Sequence, residues 1–80
     1  MQSQTLYDIN HLIKMVQLAT PDSLNIAEAI IKNNREIDIP ELPRLRQAIY
    51  RSLSEKKNRQ LSQEVREIKT KIITSLVQKT

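Results

Sequence analysis

Apolar residues recur every three or four positions along most of the chain, which is the spacing of one face of an α-helix. In the first such stretch they fall within an arc of about 120° on a helical wheel. They are Leu6, Ile9, Leu12, Ile13 and Val16. The pattern predicts a first helix over about residues 4–19 that buries one face.

A second helix is predicted over about residues 21–33. Thr20 can cap the free amides of its first turn, and proline is well tolerated at the position of Pro21 in that turn. The negative charge of Asp22 interacts favourably with the positive end of the helix dipole. Its broad apolar face consists of Leu24, Ile26, Ala27, Ile30 and Ile31. We expect the helix to end at Asn33–Asn34, because asparagine tolerates the left-handed backbone conformation.

The longest connection, residues 34–40, contains Ile37 and Ile39, which we expect to pack the connection onto the bundle. Asp38 with Glu41 three positions later fits an acidic variant of the capping box. A third helix should then follow.

The third helix is predicted over about residues 41–54, with one apolar face formed by Leu42, Leu45, Ala48, Ile49 and Leu53. Residues 54–60 contain no apolar side chain. A fourth apolar stripe follows over about residues 61–78, formed by Leu61, Val65, Ile68, Ile72 and Leu76. In one continuous helix these two stripes would face opposite sides, since each residue turns the helix by about 100°. We therefore favour a break near residues 55–60, and the alternative is one long bent helix.

The resulting fold class is all-α: a small bundle of four helices forming a single helical domain over residues 1–80. Strands are not expected, because only residues 37–39 alternate and the chain has no glycine for tight hairpin turns. The predicted core is small, because the four helices are short and contain few aromatic residues, so further apolar surface could be buried in a dimer. Leu18, Ile73 and Val77 lie off the main stripes and are candidates for that surface.

Composition excludes several classes of site. The chain has no cysteine and no glycine, and it has one histidine. Disulfides, thiolate or histidine-rich metal sites and glycine-dependent phosphate loops are therefore excluded. No stretch is apolar enough for a membrane span or a signal-peptide core. We expect a cytoplasmic protein without a membrane partner, a cofactor or a small-molecule substrate.

Catalysis is not expected from the ionisable residues. His11 with Asp8 three positions earlier could form an acid–base pair, but no nucleophile or further ligand accompanies them. The remaining carboxylates that could be grouped are Glu28, Glu36, Asp38 and Glu41. Their spacing fits helix caps and surface charges rather than a catalytic arrangement.

Charge is distributed unevenly along the chain. The net charge is +4, with three basic and five acidic groups in residues 1–40 and ten basic and four acidic groups in residues 41–80. Residues 44–59 alone carry +5. Their cations, with a tyrosine that could stack on a base, are Arg44, Arg46, Tyr50, Arg51, Lys56, Lys57 and Arg59. Such a basic segment suggests an alternative function in nucleic-acid binding through phosphates, although no helix-turn-helix spacing supports it.

The main hypothesis is a small helical interaction module, such as a regulator, an adaptor or an assembly subunit. It would bind a protein partner or self-associate into an oligomer through an apolar helix face. The predicted anchors are Ile73, Leu76 and Val77, with Arg66 and Lys69 at the rim.

Overall fold

The computed structural model describes residues 2–55 and 58–79, with side chains from residue 8 onwards. It contains four helices: α1 (Gln2–Leu18), α2 (Pro21–Asn33), α3 (Leu42–Ser54) and α4 (Arg59–Lys79). Every predicted helix is present with its ends within two residues of the prediction, and the described ranges contain no strand. The all-α bundle is confirmed.

A tight reversal joins α1 to α2 through two residues. Ala19 adopts the left-handed conformation, with φ of 50°. Thr20 is the N-cap of α2: its Oγ1 accepts a hydrogen bond from the Ser23 amide at 3.0 Å, and the Thr20 amide donates to Ser23 Oγ at 2.8 Å. Pro21 occupies the first turn of α2. The predicted cap at Thr20 is therefore confirmed, as a reciprocal capping box.

The left-handed residue gives a prediction about stability. Replacing Ala19 with glycine should raise the free energy of unfolding by about 1 kcal/mol, because a Cβ atom makes this conformation unfavourable. Urea unfolding followed by circular dichroism at 222 nm measures the change. Replacing Ala29, an exposed alanine within α2, with glycine should instead lower the free energy of unfolding by about 1 kcal/mol. Loss of stability in both variants would contradict the proposed strain.

The end of α2 is where the sequence placed it, but for a different reason. Asn34 is extended, with φ of −131° and ψ of 94°, and not left-handed. Its side-chain Nδ2 donates to the Ile30 carbonyl at 2.9 Å, and its amide donates to the Ile31 carbonyl at 3.2 Å. The asparagine ends the helix by satisfying free carbonyls rather than by tolerating a left-handed backbone.

The predicted capping box at Asp38 is wrong. The N-cap of α3 is Glu41, whose side chain makes no capping hydrogen bond. The Leu42 amide donates to the Ile39 carbonyl at 3.2 Å, so a turn occupies the residues after Ile39 and moves the start of the helix beyond reach of Asp38. Pro43 lies in the first turn and has no amide hydrogen, which leaves one donor fewer to satisfy.

The helices enclose one hydrophobic core that receives side chains from all four of them. Ile37 and Ile39 from the α2–α3 connection are buried within it, as predicted. The largest fully buried side chains are Leu12, Val16, Leu24, Leu45, Ile72 and Leu76. The connection is thus an integral part of the packing.

The predicted break between the third and fourth helices is confirmed, because α3 ends at Ser54 and packs against α4. Asn58 begins α4 as its N-cap: Oδ1 accepts from the Leu61 amide at 3.2 Å. Asn58 Nδ2 also donates to Glu55 Oε2 at 3.1 Å. The sequence did not predict this cap.

The neighbouring pairs around the bundle are α1–α2, α2–α3, α3–α4 and α4–α1, and within the described chain the Cα atoms of different helices approach within 8 Å only in these pairs. Asp8, early in α1, shares a groove with residues late in α2, and Pro43, early in α3, shares another with Lys32, late in α2. These neighbours are therefore antiparallel. The α1–α2 and α3–α4 connections consequently lie at the same end, named here the two-connection end.

Among the described residues, no helix combines the length and the apolar composition needed to cross a membrane.

Candidate partner-binding surface

One side of α4 presents a surface that differs in character from its buried stripe. Taking about 100° per residue and Ile72 as the centre of the stripe, the positions between about 60° and 160° form this side. They are Arg59, Ser62, Arg66, Lys69, Thr70, Ile73 and Val77, together named the α4 flank. The flank contains three cations and two apolar residues, and no acid.

The exposure of the α4 flank makes it accessible to a partner. Val77 is 54% exposed, and Arg59 and Arg66 are also exposed. Lys69 and Ile73 are half-buried, and Ile73 packs against the core. The cations lie towards the start of α4 and the apolar pair lies towards its end. A partner would therefore meet a basic half and an apolar half.

Leu76, predicted as a third anchor, lies elsewhere. It is fully buried in the core, with 0% exposure. On the helical wheel it lies only about 40° from Ile72, within the inward stripe. The structure therefore leaves Ile73, Val77, Arg66 and Lys69 at the surface and gives Leu76 a packing role.

The α4 flank faces the α1 side of the bundle. Arg46 follows the buried Leu45 by one residue, or about 100° on the helical wheel, and it contacts Asn25 and Glu28 on α2. Positions about 100° beyond the inward stripe of α3 therefore face α2. Because α4 runs in the opposite direction to α3, the positions about 100° beyond its own inward stripe, which form the α4 flank, face α1. Ile13 on α1 and Ile73 on α4 are both half-buried against the core, as expected at such a border.

The basic segment is divided among several surfaces. Arg46 is engaged on the α2 side, with its Nη2 3.0 Å from Glu28 Oε1 and 3.1 Å from Asn25 Oδ1. Arg44 and Arg51 are exposed and lie on the opposite side of α3.

The other members of the basic segment do not rejoin Arg44 and Arg51. Arg59 belongs to the α4 flank, and Tyr50 is 49% exposed on the α2 side of α3. Lys56 and Lys57 lie outside the described residues. The described cations therefore do not form one continuous phosphate-binding face.

Exposed apolar side chains also lie at the two-connection end. Leu18 is 61% exposed and Leu53 is 55% exposed. The sequence placed Leu53 on the buried face of α3. It is exposed because it lies two turns beyond Arg46, level with the α1–α2 connection, where α2 no longer covers α3.

Two shallow grooves flank α2, each with a volume of about 310 Å³. The α1–α2 groove is lined by Asp8, Ile26, Ala29, Ile30, Asn33 and Asn34. The α2–α3 groove is lined by Glu28, Ile31, Lys32, Ile39, Leu42 and Pro43. Each lining contains one carboxylate, and neither contains a histidine or a hydroxyl nucleophile. The grooves can bind a polar or apolar group, but they do not present an acid–base pair.

His11, the histidine considered in the sequence analysis, is half-buried on α1 and lines neither of these grooves. The described residues include no group of three or more histidines, cysteines or carboxylates that could hold a metal ion. Of the grouped carboxylates, Glu28 is bound to Arg46, while Glu36 and Asp38 are exposed.

Sequence reasoning missed two features of these surfaces. Arg59 was assigned to the basic segment rather than to the α4 flank, because the start of α4 was placed at residue 61. The Arg46–Glu28 ion pair was missed because the two residues belong to helices whose relative placement only the fold determines. Helical periodicity through Arg59, Arg66 and Ile73, which are seven residues apart, is the signal that could have revealed the flank.

Comparison of the chain with protein-family models gave no match, and neither did comparison with curated proteins or with solved structures.

Proposed function

We propose that this chain is a non-enzymatic helical module that acts in the cytoplasm by binding a protein partner through the α4 flank. The observation that carries the proposal is the composition of that flank. Its basic half contains Arg59, Arg66 and Lys69, its apolar half contains Ile73 and Val77, and no acid lies on the flank. A regulator, an adaptor or an assembly subunit works by occupying a partner's surface in this way.

The energetics favour a protein partner. An interface needs apolar side chains that lose contact with water and charges at the rim that select the partner. Val77 still has 54% of its surface to bury, and the neighbouring cations can pair with acids across the interface. The two acids of α4, Glu64 and Glu67, lie on the other side of the helix. The cations of the flank therefore have no competing acid on their own side of α4.

Site-specific crosslinking in the cells that encode the protein tests the proposal. The photoreactive residue p-benzoylphenylalanine replaces Val77 in one variant. In a control variant it replaces Lys71, which is exposed on the opposite side of the same helix. We expect a discrete protein adduct from position 77 and at least tenfold less from position 71. A second copy of the chain as the adduct would identify self-association.

Circular dichroism checks that both variants keep their helical content. Equal adducts from positions 71 and 77, or no protein adduct from position 77 in a folded variant, would overturn the proposal.

Nucleic-acid binding is the second candidate, and one observation favours it: Arg44 and Arg51 are both exposed on one side of α3. Two contacted phosphates should give a log–log salt slope of about −2 for duplex DNA, since each contact contributes about −0.9. Filter binding at several salt concentrations measures the slope. Replacing both arginines with glutamate should abolish retention, and the absence of retention by the unmodified protein at low salt would exclude this function.

A further inference from the structure

We infer that the partner segment is an acidic amphipathic helix that lies along the border between α1 and α4. This inference rests on the proposed function and specifies its ligand. Three positions of the α4 flank, Arg59, Arg66 and Ile73, follow one another at intervals of seven residues. Two helical turns separate each from the next, or about 10.5 Å along the helix axis. The border thus presents two cations and then an apolar side chain in one line.

This line defines the complementary ligand. A helix lying beside α4 meets the same spacing when it carries two acids and one apolar residue at intervals of seven positions. Its apolar end would contact Ile73 and Val77, and its acidic end would contact Arg66 and Arg59. Lys69, half-buried one turn before Ile73, lies at the boundary between the two halves. The gradient from basic to apolar therefore also sets the orientation of the bound helix.

The arrangement of charged and apolar side chains favours a helix over other ligands that cations attract. Because α1 and α4 pack side by side, an amphipathic helix can lie along them with its apolar face inward. A membrane-bound helix usually has its apolar face along its whole length, with aromatic anchors. On the α4 flank, by contrast, the two apolar residues, Ile73 and Val77, both lie towards the end of the helix. A nucleic-acid backbone would pair with the cations but would leave Ile73 and Val77 unused.

A display library of helical peptides provides the test. The library contains 21-residue amphipathic peptides whose polar positions are randomised among Glu, Lys and Gln, and it is selected against the intact protein. We expect the selected peptides to carry a net negative charge, with their acids concentrated in one half of the sequence. Their affinity should fall about tenfold with Arg66→Glu, which corresponds to the loss of one favourable charge pair.

The matched control is Lys71→Glu, which makes the same change of charge on the opposite side of α4 and should change affinity less than twofold. Val77→Asp should weaken binding at least tenfold, because it places a charge in the apolar half of the interface. Both positions are exposed, and circular dichroism confirms the fold of each variant.

Several results would overturn the inference. They are the selection of neutral or basic peptides, no selection at all, or equal effects of Arg66→Glu and Lys71→Glu. Tight binding to phosphatidylglycerol vesicles or to duplex DNA that is lost on Arg66→Glu would assign the cations to a phosphate ligand instead. A position-77 adduct together with neutral peptides would reject this inference while preserving the proposed function.

Discussion

Leu76→Ala is expected to leave most of the chain unfolded at room temperature. Leu76 is fully buried, and removing a buried leucine side chain costs about 2–5 kcal/mol in lost burial and cavity formation. A core of this size supplies only about 3–5 kcal/mol of net stability. Urea unfolding followed at 222 nm should show a transition midpoint near or below zero denaturant.

The matched variant is Val77→Ala, one residue along the same helix. Because Val77 is half-exposed, its truncation should change the free energy of unfolding by less than about 1 kcal/mol. The pair of variants separates a packing role from a binding role at adjacent positions. A stable Leu76→Ala variant with impaired partner binding would indicate that Leu76 lies at the surface and would contradict its burial in the core.

Ile37→Ala is expected to lower the free energy of unfolding by about 2–4 kcal/mol, although the residue lies in a connection and not in a helix. The side chain is 3% exposed and belongs to the same core as the helices. Thermal unfolding measured by calorimetry or circular dichroism should show a much lower midpoint than that of the unmodified chain.

The control for the connection is Asp38→Ala, since Asp38 is the exposed neighbour of Ile37. It should change the free energy of unfolding by no more than about 0.5 kcal/mol. If Ile37→Ala were equally mild, the connection would be a passive linker and its placement in the core would be incorrect.

Helix positions were predictable because local rules determine them. The first residue of α2 was predicted correctly from Thr20 and Pro21, since both act within one helical turn. The break after α3 followed from two apolar stripes that no single helix could bury together. Ile37 and Ile39 were predicted to pack onto the bundle because an apolar side chain in a polar connection has few other places to be buried.

Cap details were less predictable because neighbouring turns compete for the same groups. Asp38 was in sequence register with Glu41, but the hydrogen bond from Leu42 to the Ile39 carbonyl shifted the start of α3. Asn58 was overlooked as a cap because the surrounding polar stretch has no periodicity to mark a helix start. Its hydrogen bond to the Leu61 amide extends α4 by two residues.

Candidate surface residues were only partly predictable. Arg66, Lys69, Ile73 and Val77 were placed together because one helix carries them all. Leu76 was included because it adjoins Val77 in sequence, although its angle on the wheel places it inward.

The position of Arg46 could not be read from the sequence. Its ion pair with Glu28 depends on how α3 lies against α2, and no local spacing encodes that contact.

The buried isoleucines of the α2–α3 connection also affect how copies of this chain can combine. The bundle consists of two helical hairpins, α1–α2 and α3–α4, and an extended hinge between hairpins would allow two molecules to exchange them. Ile37 and Ile39 would have to leave the core before the hinge could straighten. The same two side chains therefore oppose an intertwined dimer and keep each hairpin paired with its own sequence neighbour.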